Sequence, residues 1–412
     1  MTSLVLSGDR ARPDQAAVPP AAAVSRAGQV ELTVLMPCLN EVKTIATCIG
    51  KALRFFADHG IDGEVLVVDN GSTDGSARIA EAAGARVVSH DIKGYGSALK
   101  RGIGEARGRF VIMGDADDTY DFARLDEFVD LLRRGHDLVM GSRLRGVIAK
   151  RAMPWMHRYV GTPALTAVMN LVYRTGISDT NCGLRGFRRD AVERLDLRCN
   201  GMEFASEMVI RASQEGLTIA ETPIDYAAPS AVRQPHLNTF RDGWRHLRFM
   251  LVLSPTWLFL YPGLTVFLAG LLLMGLLMVR PVAVMGVPLG LSVVLFAGVL
   301  MFMGLQATLF GVFGLLLYGH DRGVASTGRV ARFFATSFTV ERGLIAGVIV
   351  ASAGLCLAGI TVRWLLDVAT PASIHAGVTR LSILSTFVTL LGIQLTSFSF
   401  FLGLADLNKT LR

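Results

Sequence analysis

Residues 110–121 read Phe-Val-Ile-Met-Gly-Asp-Ala-Asp-Asp-Thr-Tyr-Asp and carry the clearest structural signal in the chain. The first four residues, Phe110–Met113, are all apolar, as in a buried strand. The apolar run then stops at three carboxylates, Asp115, Asp117 and Asp118. Carboxylate oxygens are the ligands that hard ions such as Mg²⁺ or Mn²⁺ prefer. The stretch therefore predicts a buried strand whose carboxyl end opens into a divalent-cation site at Asp115 and Asp117.

The segments before this strand alternate between strand and helix patterns. Apolar runs predict strands over 31–36, 64–68 and 85–89, and a helical pattern follows each of them. Such alternation predicts an α/β domain with a mostly parallel, doubly wound sheet. Ligands of these sheets bind beyond the carboxyl ends of the strands, which is where the polar clusters of this chain stand.

One of these clusters, residues 69–75, reads Asp-Asn-Gly-Ser-Thr-Asp-Gly and follows the second predicted strand. A carboxylate at a strand end, such as Asp69, can accept a hydrogen bond from a nucleobase N–H. Asn40 and Glu41 can contact base and ribose, and Lys93 beside Gly94 can reach a pyrophosphate. Taken alone, each turn could equally be a helix cap or an acidic surface turn. We call Asp115 and Asp117 the acidic pair. A metal site is favoured over a simple surface turn for this pair because an apolar strand precedes it and Asp69 stands at a second strand end.

The second half of the chain is far more apolar than the first. The whole chain is 51% hydrophobic, and residues 257–405 are dominated by Leu, Val, Phe, Met, Ala and Gly. Uncharged stretches there are long enough, at ~1.5 Å per residue, to cross a hydrocarbon core of ~30 Å. Buried core helices are the weaker alternative, because the pattern recurs four times. The stretches are 257–279, 291–317, 343–362 and 381–404.

Basic residues are distributed unevenly around these four stretches. Cytoplasmic loops of membrane proteins carry an excess of Lys and Arg, so we expect a plasma-membrane protein with a cytoplasmic N-terminal domain, middle loop and tail. The net charge of +7 fits this bias, and it also fits recognition of anionic substrates or headgroups. The middle loop and tail hold Arg322, Arg329, Arg332, Arg342, Lys409 and Arg412, whereas the opposite loops hold only Arg280, Arg363 and Arg380, of which Arg380 could instead snorkel from a helix end.

The chain divides into five predicted segments. Residues 1–28 are rich in Ala and Pro without a long apolar core, which predicts a disordered tail rather than a signal peptide. Residues 29–232 form the α/β domain, 233–256 juxtamembrane helices, 257–405 the membrane domain and 406–412 a cytoplasmic tail. Within the juxtamembrane segment, Phe240, Trp244 and Leu247 repeat at helical spacing, which predicts an interfacial amphipathic helix. The five cysteines show no CxxC spacing, so we expect reduced thiols.

Jointly, the motifs of residues 30–250 resemble those of family 2 glycosyltransferases with the GT-A fold. The later motifs resemble the branch that uses polyisoprenyl phosphates, which includes dolichol-phosphate mannose synthase. The membrane part resembles this branch only in layout. The strings that carry the resemblance are Val34-Leu-Met-Pro-Cys-Leu-Asn-Glu41, Val67-Val-Asp-Asn-Gly-Ser-Thr-Asp-Gly75, Lys93-Gly-Tyr-Gly-Ser-Ala98, Asp115-Ala-Asp117, Gly141-Ser-Arg143 and Asp179-Thr-Asn-Cys-Gly-Leu-Arg185.

The resemblance implies an enzyme that transfers one hexose, with inversion, from a UDP- or GDP-sugar to a polyprenyl or dolichyl phosphate. It implies Mg²⁺ or Mn²⁺ at Asp115 and Asp117, with membrane lipids as surroundings and no nucleic-acid partner. A homo-oligomer is left open. The nucleotide-binding residues implied are Pro37, Asn40, Glu41, Asp69, Lys93 and Gly94.

The resemblance also implies which residues hold the acceptor. A lipid phosphate is already anionic and needs positioning beside a second anion rather than a strong base. Arginines suit this task because their guanidinium can hold phosphate oxygens in pairs. Together with the acidic pair, the arginines complete the predicted catalytic set. The acceptor-phosphate residues implied are Ser142, Arg143, Arg158, Thr162 and Arg185.

This chain departs from the family pattern at two places. Relatives commonly have Gln two residues after the acidic triplet, where this chain has Thr119, and Asp118 is an additional carboxylate. Whether either takes part in metal binding stays open. Pro235-His236-Leu237 stands where relatives have Ser-Lys-Leu, so no role for that Lys is carried over.

Two other functions remain as alternatives. A processive polysaccharide synthase would need a QxxRW motif on its interfacial helix, but Gly243-Trp-Arg245 has neither the Gln nor that order. A non-catalytic, nucleotide-sugar-binding membrane subunit would not need Asp69, Asp115 and Asp117 together. The identity of the sugar, the nucleotide and the lipid length are not decided by these residues, because a few pocket contacts worth about 1–3 kcal/mol each set such choices.

Overall fold

The computed structural model describes residues 30–150, 152–228, 239–279, 283–284, 287–288, 290–320, 333, 339–366 and 372–410. The predicted tail at 1–28, the segment Pro235-His236-Leu237 and the side chains of Phe240 and Arg241 lie outside the described residues. So do most of the basic residues of the predicted middle loop and tail. The chain splits into two compact units. We call Met1–Thr166 with Thr175–His236 the sheet unit, and Ala167–Arg174 with Leu237–Arg412 the helical unit.

The sheet unit is built on a seven-stranded sheet in the order β3-β2-β1-β4-β6-β5-β7. β1, β2, β3 and β4 are parallel, and β6 runs antiparallel to both of its neighbours. This confirms the prediction of a mostly parallel α/β sheet, and the fourth strand has the predicted bounds. The strands are β1 Leu32–Cys38, β2 Gly63–Asp69, β3 Arg86–Ser89, β4 Phe110–Met113, β5 Leu138–Ser142, β6 Arg185–Arg188 and β7 Ile219–Pro223.

The helices of the sheet unit cover the sheet with apolar faces. In α1, Ile45, Ile49 and Ala52 recur at helical spacing and are buried. The helix ends at Gly60, whose φ of 61° lies in the left-handed region that glycine adopts most easily. The helices that begin in this unit are α1 Ile45–His59, α2 Ser76–Ala82, α3 Tyr95–Glu105, α4 Asp126–Arg133, α5 Thr162–Tyr173, α6 Arg189–Glu193 and α7 Phe204–Gln214, with a π-helical turn, His157–Gly161, before α5. From Ala167 onward, α5 belongs to the helical unit.

The register of the parallel strands places the polar clusters at one edge. Cys38 of β1 pairs with Asp69 of β2, and Leu35 of β1 pairs with Met113 of β4. The segments that follow β2 and β4 therefore leave the sheet on either side of β1. This brings the Asp69 turn and the acidic pair to the same edge of the sheet, as predicted for a doubly wound fold.

The helical unit contains four helices that are long and apolar enough to cross a membrane, at Thr256–Val279, Leu291–Leu315, Val340–Leu366 and Gly377–Gly403. They agree with the four stretches predicted from the sequence. Arg380 lies near the start of the fourth span and donates to the Leu277 carbonyl at 3.1 Å. The elements of this unit are α8 Thr239–Val252, α9 Tyr261–Val279, β8 Ala283–Val284, β9 Val287–Pro288, α10 Leu291–His320, α11 Val340–Leu366 and α12 Ala372–Thr410.

Glycines let the long helices pack closely in pairs. A Cβ at Gly270 of α9 would lie 2.6 Å from the Met301 amide of α10, and one at Gly392 of α12 would lie within 3 Å of Ala351 of α11. Small residues at helix contacts are how membrane helices gain dispersion energy where lipid is as apolar as leucine. In the described part of these spans, Gln394 of α12 also donates to Gln306 of α10.

Candidate active site

The acidic pair lies directly after β4, and a neighbouring threonine orients Asp117. The Asp117 Oδ1 atom accepts hydrogen bonds from the Thr119 hydroxyl at 2.6 Å and from the Thr119 amide at 3.1 Å. Both side chains are buried, with exposed fractions of 7% and 2%. These two bonds fix the plane of the Asp117 carboxylate. Thr119 therefore orients the predicted metal ligand Asp117.

Asp118 is engaged elsewhere. Its Oδ1 atom lies 2.8 Å from the Lys51 Nζ atom of α1, and its backbone has a φ of 61°. The same ammonium lies 3.6 Å from Asp121. The ion pair with Lys51 thus gives the additional carboxylate a partner on α1.

The donor set at Asp115 and Asp117 fits a hard divalent cation held jointly with a substrate. Among the described residues, no three His, Cys, Asp or Glu side chains form a closed metal cluster. A cation here would have two protein carboxylates and would need further oxygen ligands. Mg²⁺ is commonly held in this way, by one or two carboxylates together with substrate phosphates.

The segments predicted to bind the nucleotide contact each other closely. The Asn40 amide donates to the Ser72 hydroxyl at 2.9 Å, and the Asn40 Oδ1 atom accepts from the Thr73 amide at 2.9 Å. The Glu41 amide donates to the Ser76 hydroxyl at 2.9 Å. Pro37 lies on β1, two residues before the loop that carries Asn40. The loop after β1 and the turn after β2 thus form one surface.

Asp69 stands at the base of this surface and shapes its turn. Its carboxylate accepts hydrogen bonds from the amides of Gly71 and Ser72 at 3.2–3.3 Å, and 7% of the residue is exposed. The segment that carries Asp115 and Asp117 adjoins the loop after β1, since the Thr44 hydroxyl donates to the Ala116 carbonyl at 2.7 Å. The structure therefore brings the predicted nucleotide and metal residues into one continuous region.

Lys93 and Gly94 join this region from the loop after β3. The Lys93 Nζ atom donates to the Asn70 carbonyl at 2.7 Å, so the ammonium lies on the turn that carries Asp69. Gly94 has a φ of 138° and its α-carbon faces the Asn200 carbonyl at a distance that leaves no room for a Cβ. Only glycine fits this position.

Two residues that sequence reasoning did not assign contact Asp115. Tyr95, the first residue of α3, hydrogen-bonds with it; burial, followed by the charge of Asp115, raises the pKa of the Tyr95 phenol well above its ordinary value. The phenol therefore stays protonated and can donate to the carboxylate. Gly183 lies close to Asp115, since a Cβ at Gly183 would be 2.9 Å from the Asp115 Oδ2 atom. Tyr95 belongs to the string at 93–98 that carries the family resemblance, and this string could have indicated it from the sequence.

Arg143, the predicted acceptor residue, is held by a buried carboxylate. Its Nε and Nη2 atoms donate to Asp179 Oδ2 and Oδ1 at 2.7 and 2.9 Å. Burial lowers the pKa of Arg143, but the hydrogen bond and the charge of Asp179 outweigh burial and raise it. The guanidinium also lies 5.3 Å from the ring centroid of Tyr226, a cation–π distance. Asp179 and Tyr226 were not assigned from the sequence.

Tyr226 connects Arg143 to the acidic pair. Burial is the largest influence on the pKa of Tyr226 and raises it; Arg143 lowers it, whereas Asp117 and Asp115 raise it further. The charges of Arg143, Asp117 and Asp115 therefore all influence the pKa of this one phenol.

The other predicted acceptor residues differ in their surroundings. Arg158 is half-buried on the π-helical turn, with its guanidinium carbon 5.3 Å from the Tyr159 ring centroid. Thr162 is buried at the start of α5. Ser142 is fully buried, and its hydroxyl pairs with the Ser178 hydroxyl at 2.6 Å. This placement does not support a contact between Ser142 and an acceptor phosphate.

Arg185 requires a correction. Its side chain has no exposed surface, and its guanidinium donates to the backbone carbonyls of Cys182 at 2.9 Å, Thr180 at 3.0 Å and Ala205. Burial lowers the pKa of this guanidinium. The predicted contact with an acceptor phosphate disagrees with this position, because all three nitrogens already bind main-chain oxygens. Arg185 instead holds the 180–182 loop against α7.

Comparisons with known proteins cover both units. The family profile "Glycosyl transferase family 2" matches residues 33–196, and the profile "Glycosyltransferase family 2 C-terminal transmembrane region" matches residues 315–406. The low-salt glycan biosynthesis hexosyltransferase Agl6 of Haloferax volcanii is 38% identical over 374 residues, which are 90% of this chain and 88% of that protein. The dolichyl-phosphate hexose transferase of Haloferax volcanii is 32% identical over 198 residues, or 48% of this chain and 82% of that protein.

Solved structures of lower identity also align with the chain. Glucosyl-3-phosphoglycerate synthase from Mycobacterium tuberculosis, crystallised with Mn²⁺, uridine-diphosphate-glucose and phosphoglyceric acid, is 24% identical with a TM-score of 0.45. The alignment covers 55% of this chain and 79% of that one.

Proposed function

The chain belongs to glycosyltransferase family 2, and we propose that it transfers one hexose, with inversion, from a UDP- or GDP-sugar to a polyprenyl or dolichyl phosphate. The printed names of two relatives, a hexosyltransferase and a dolichyl-phosphate hexose transferase, support the sugar class and the lipid acceptor. The four apolar spans and the transmembrane-region profile support a reaction at a membrane. The distribution of Lys and Arg favours the cytoplasmic face of the plasma membrane.

The observation that carries the proposal is the continuity between the acidic pair and the Asp69 turn. The Thr44 hydroxyl bonds the Ala116 carbonyl between the two aspartates at 2.7 Å, and the loop before Thr44 binds the turn after Asp69. A nucleotide sugar bound along this edge has its base near Asp69, Asn40 and Glu41. Its diphosphate then reaches Asp115 and Asp117.

The proposed reaction exchanges one bond for another. An acceptor phosphate oxygen attacks the anomeric carbon, the new carbon–oxygen bond forms, and the bond to the donor diphosphate breaks, releasing the nucleoside diphosphate. No proton has to move, because the attacking oxygen is already ionised. A divalent cation at Asp115 and Asp117 would supply Lewis-acid neutralisation of the departing diphosphate. Thr119 and Tyr95 hold the two carboxylates in orientation, each through a hydrogen bond.

Arg143 and Arg158 are the proposed contacts to the acceptor phosphate. Asp179 occupies the Nε edge of Arg143, so a phosphate would bind the guanidinium through its Nη1 side. The remaining edge of a guanidinium still presents donors in a fixed plane. Asp179 balances the charge of Arg143, so the pair attracts an anionic acceptor only weakly. Its main effect is to orient the acceptor phosphate through the remaining N–H donors of Arg143.

The proposal is tested with the purified full-length protein in lipid nanodiscs. A panel of radiolabelled UDP- and GDP-hexoses is offered with polyprenyl phosphate and Mn²⁺ or Mg²⁺, and the lipid product is separated. We expect one sugar per lipid from one donor of the panel, and none from the Asp117→Asn variant. Polymer formation would instead support a processive synthase, and donor binding without transfer would support a non-catalytic subunit.

A further inference from the structure

Asn70 follows Asp69 directly and lies 5% exposed beneath the nucleotide-binding surface. Its side-chain amide makes three hydrogen bonds to one loop. The Nδ2 atom donates to the carbonyls of His90 at 2.9 Å and Ile92 at 2.8 Å, and the Oδ1 atom accepts from the Gly94 amide at 2.8 Å. The amide thus spans the whole 90–94 loop that joins β3 to α3.

The chemistry of these partners selects an amide at position 70. Two carbonyl oxygens require two N–H donors, and one backbone amide requires an acceptor; a carboxamide offers this combination on one planar group. An ionised carboxylate of the same shape would face two carbonyl oxygens at hydrogen-bond distance with nothing to donate. The partners also determine the orientation of the amide, because a reversed one would bring Oδ1 against both carbonyls.

The loop that Asn70 holds carries Lys93. The Lys93 ammonium donates to the Asn70 backbone carbonyl at 2.7 Å and to the Gly71 carbonyl at 3.5 Å. On its far side the loop is confined by the Asn200 carbonyl, which packs on Gly94. The ammonium therefore reaches the Asp69 turn only while the 90–94 loop keeps its present path.

We propose that Asn70 is a positioning residue of the donor site, whose side-chain amide holds the 90–94 loop so that Lys93 is presented beside Asp69. This inference rests on the proposed function and deepens it by adding a determinant of nucleotide binding. The role is indirect, since the Asn70 amide is occupied by the loop. It acts on the donor through Lys93.

The test compares Asn70→Asp and Asn70→Ser with the matched variant Gln214→Glu in the full-length protein. Asn70→Asp keeps the shape and replaces donors by a charge, whereas Asn70→Ser removes the amide without adding charge. Gln214→Glu makes the same change from amide to carboxylate at the last residue of α7, outside the 90–94 loop. Binding of UDP and of GDP is measured with Mn²⁺, and donor KM and kcat are measured with the donor that the wild type uses.

We expect both Asn70 variants to raise the donor KM and the Kd of the nucleotide about tenfold or more, since two buried carbonyls lose their donors. The kcat at saturating donor should stay within about threefold of wild type. The lost interaction binds the donor equally in the ground state and in the transition state, so its loss raises KM without lowering kcat. Gln214→Glu should bind as wild type does.

A double-mutant cycle with Lys93→Ala separates positioning from general destabilisation. If Asn70 acts through Lys93, the Lys93→Ala and Asn70→Ser effects on donor binding are not additive, and the double variant binds no more weakly than Lys93→Ala alone. Additive effects, or wild-type donor KM in either Asn70 variant, overturn the inference. A wild-type protein that binds neither UDP nor GDP would refute the proposed function itself, which is a distinct outcome.

Discussion

Arg143 and Asp179 form a two-point ion pair inside the sheet unit, with Nε 2.7 Å from Oδ2 and Nη2 2.9 Å from Oδ1. The Asp179 carboxylate has no exposed surface and also accepts from the Arg143 amide at 3.1 Å. A buried pair of this kind is costly to break, because removing one partner leaves the other charge uncompensated. The pair fixes one guanidinium beside Tyr226 and the acidic segment.

The first prediction concerns the role of Arg143 in binding the acceptor. Replacing Arg143 with Lys keeps the charge but loses the planar fork that binds Asp179. We expect kcat/KM for polyprenyl phosphate to fall by about tenfold or more, with donor binding unchanged. Steady-state kinetics with each substrate varied in turn give both values. An unchanged acceptor KM and kcat would remove Arg143 from the acceptor site.

The partner side of the same pair gives a stability control. Asp179→Ala should lower the free energy of unfolding by about 3–5 kcal/mol, as expected when a buried ion pair loses one member. The shift is read from thermal unfolding of the purified protein. A variant as stable as wild type would show that Arg143 is solvated in solution rather than paired.

The second prediction distinguishes adjacent aspartates. Asp117→Asn should reduce hexose transfer by about a thousandfold or more, because it would remove a carboxylate ligand of the proposed cation. Asp118→Asn is the matched control. Its ion pair with Lys51 is partly solvent-exposed, so its loss should cost about 1 kcal/mol or less of stability, and transfer should stay within a few-fold of wild type. Equal losses in the two variants would contradict the assignment.

The third prediction addresses Thr119. Its hydroxyl donates to Asp117 at 2.6 Å, and groups that orient metal ligands typically contribute about 10–100-fold to metal affinity or activity. We expect Thr119→Val to raise the Mn²⁺ concentration for half-maximal activity by about tenfold. Thr119→Ser retains the hydroxyl and should behave as wild type. A Val variant with normal Mn²⁺ dependence would leave the hydroxyl without a role at the metal.

The fourth prediction separates Arg185 from Arg158. Arg185→Met leaves three buried carbonyls without their donors, which costs about 1–3 kcal/mol for each unsatisfied group. We therefore expect a clear drop in the unfolding temperature and an unchanged acceptor KM in the protein that remains folded. Arg158→Ala should instead raise the acceptor KM and leave the unfolding temperature unchanged. Normal stability combined with a raised acceptor KM in Arg185→Met would return Arg185 to the acceptor site.

The fifth prediction is an alkaline limit of stability. Burial raises the pKa of the Cys48 and Cys182 thiols from 9.0 to about 12. Between these values the unfolded chain loses the thiol protons first, so the stability they contribute is complete below about pH 9 and falls as pH rises toward 12. Each thiol contributes a slope of about 1.4 kcal/mol per pH unit.

The measurement is the unfolding transition of the full-length protein followed from pH 7 to pH 11. We expect a constant midpoint up to about pH 9 and a decline above it. Cys48→Ala should make that decline shallower by the contribution of one thiol, about 1.4 kcal/mol per pH unit. A decline of the same slope in both proteins would assign the alkaline loss to other groups.

Much of the fold followed from local patterns. The four apolar residues of β4 have the same bounds in the sequence and in the structure, because a short apolar run between polar turns has few other stable conformations. The spans of the helical unit were equally clear, since uncharged stretches of this length are rare outside membranes. The strings around Asp69 and Asp115 identified which strand ends meet at one edge of the sheet.

Local sequence patterns predicted the first four strands with their helices, the membrane spans and the side chains that leave the sheet at its carboxyl edge. The antiparallel β6 and the partners of those side chains became visible in the tertiary structure. Arg185 binds carbonyls in the interior, Asp179 holds Arg143 across 36 residues, and Thr119 turns toward Asp117 rather than toward solvent. Periodicity records which face of an element is buried, whereas a hydrogen-bond partner depends on distances between segments far apart in the chain.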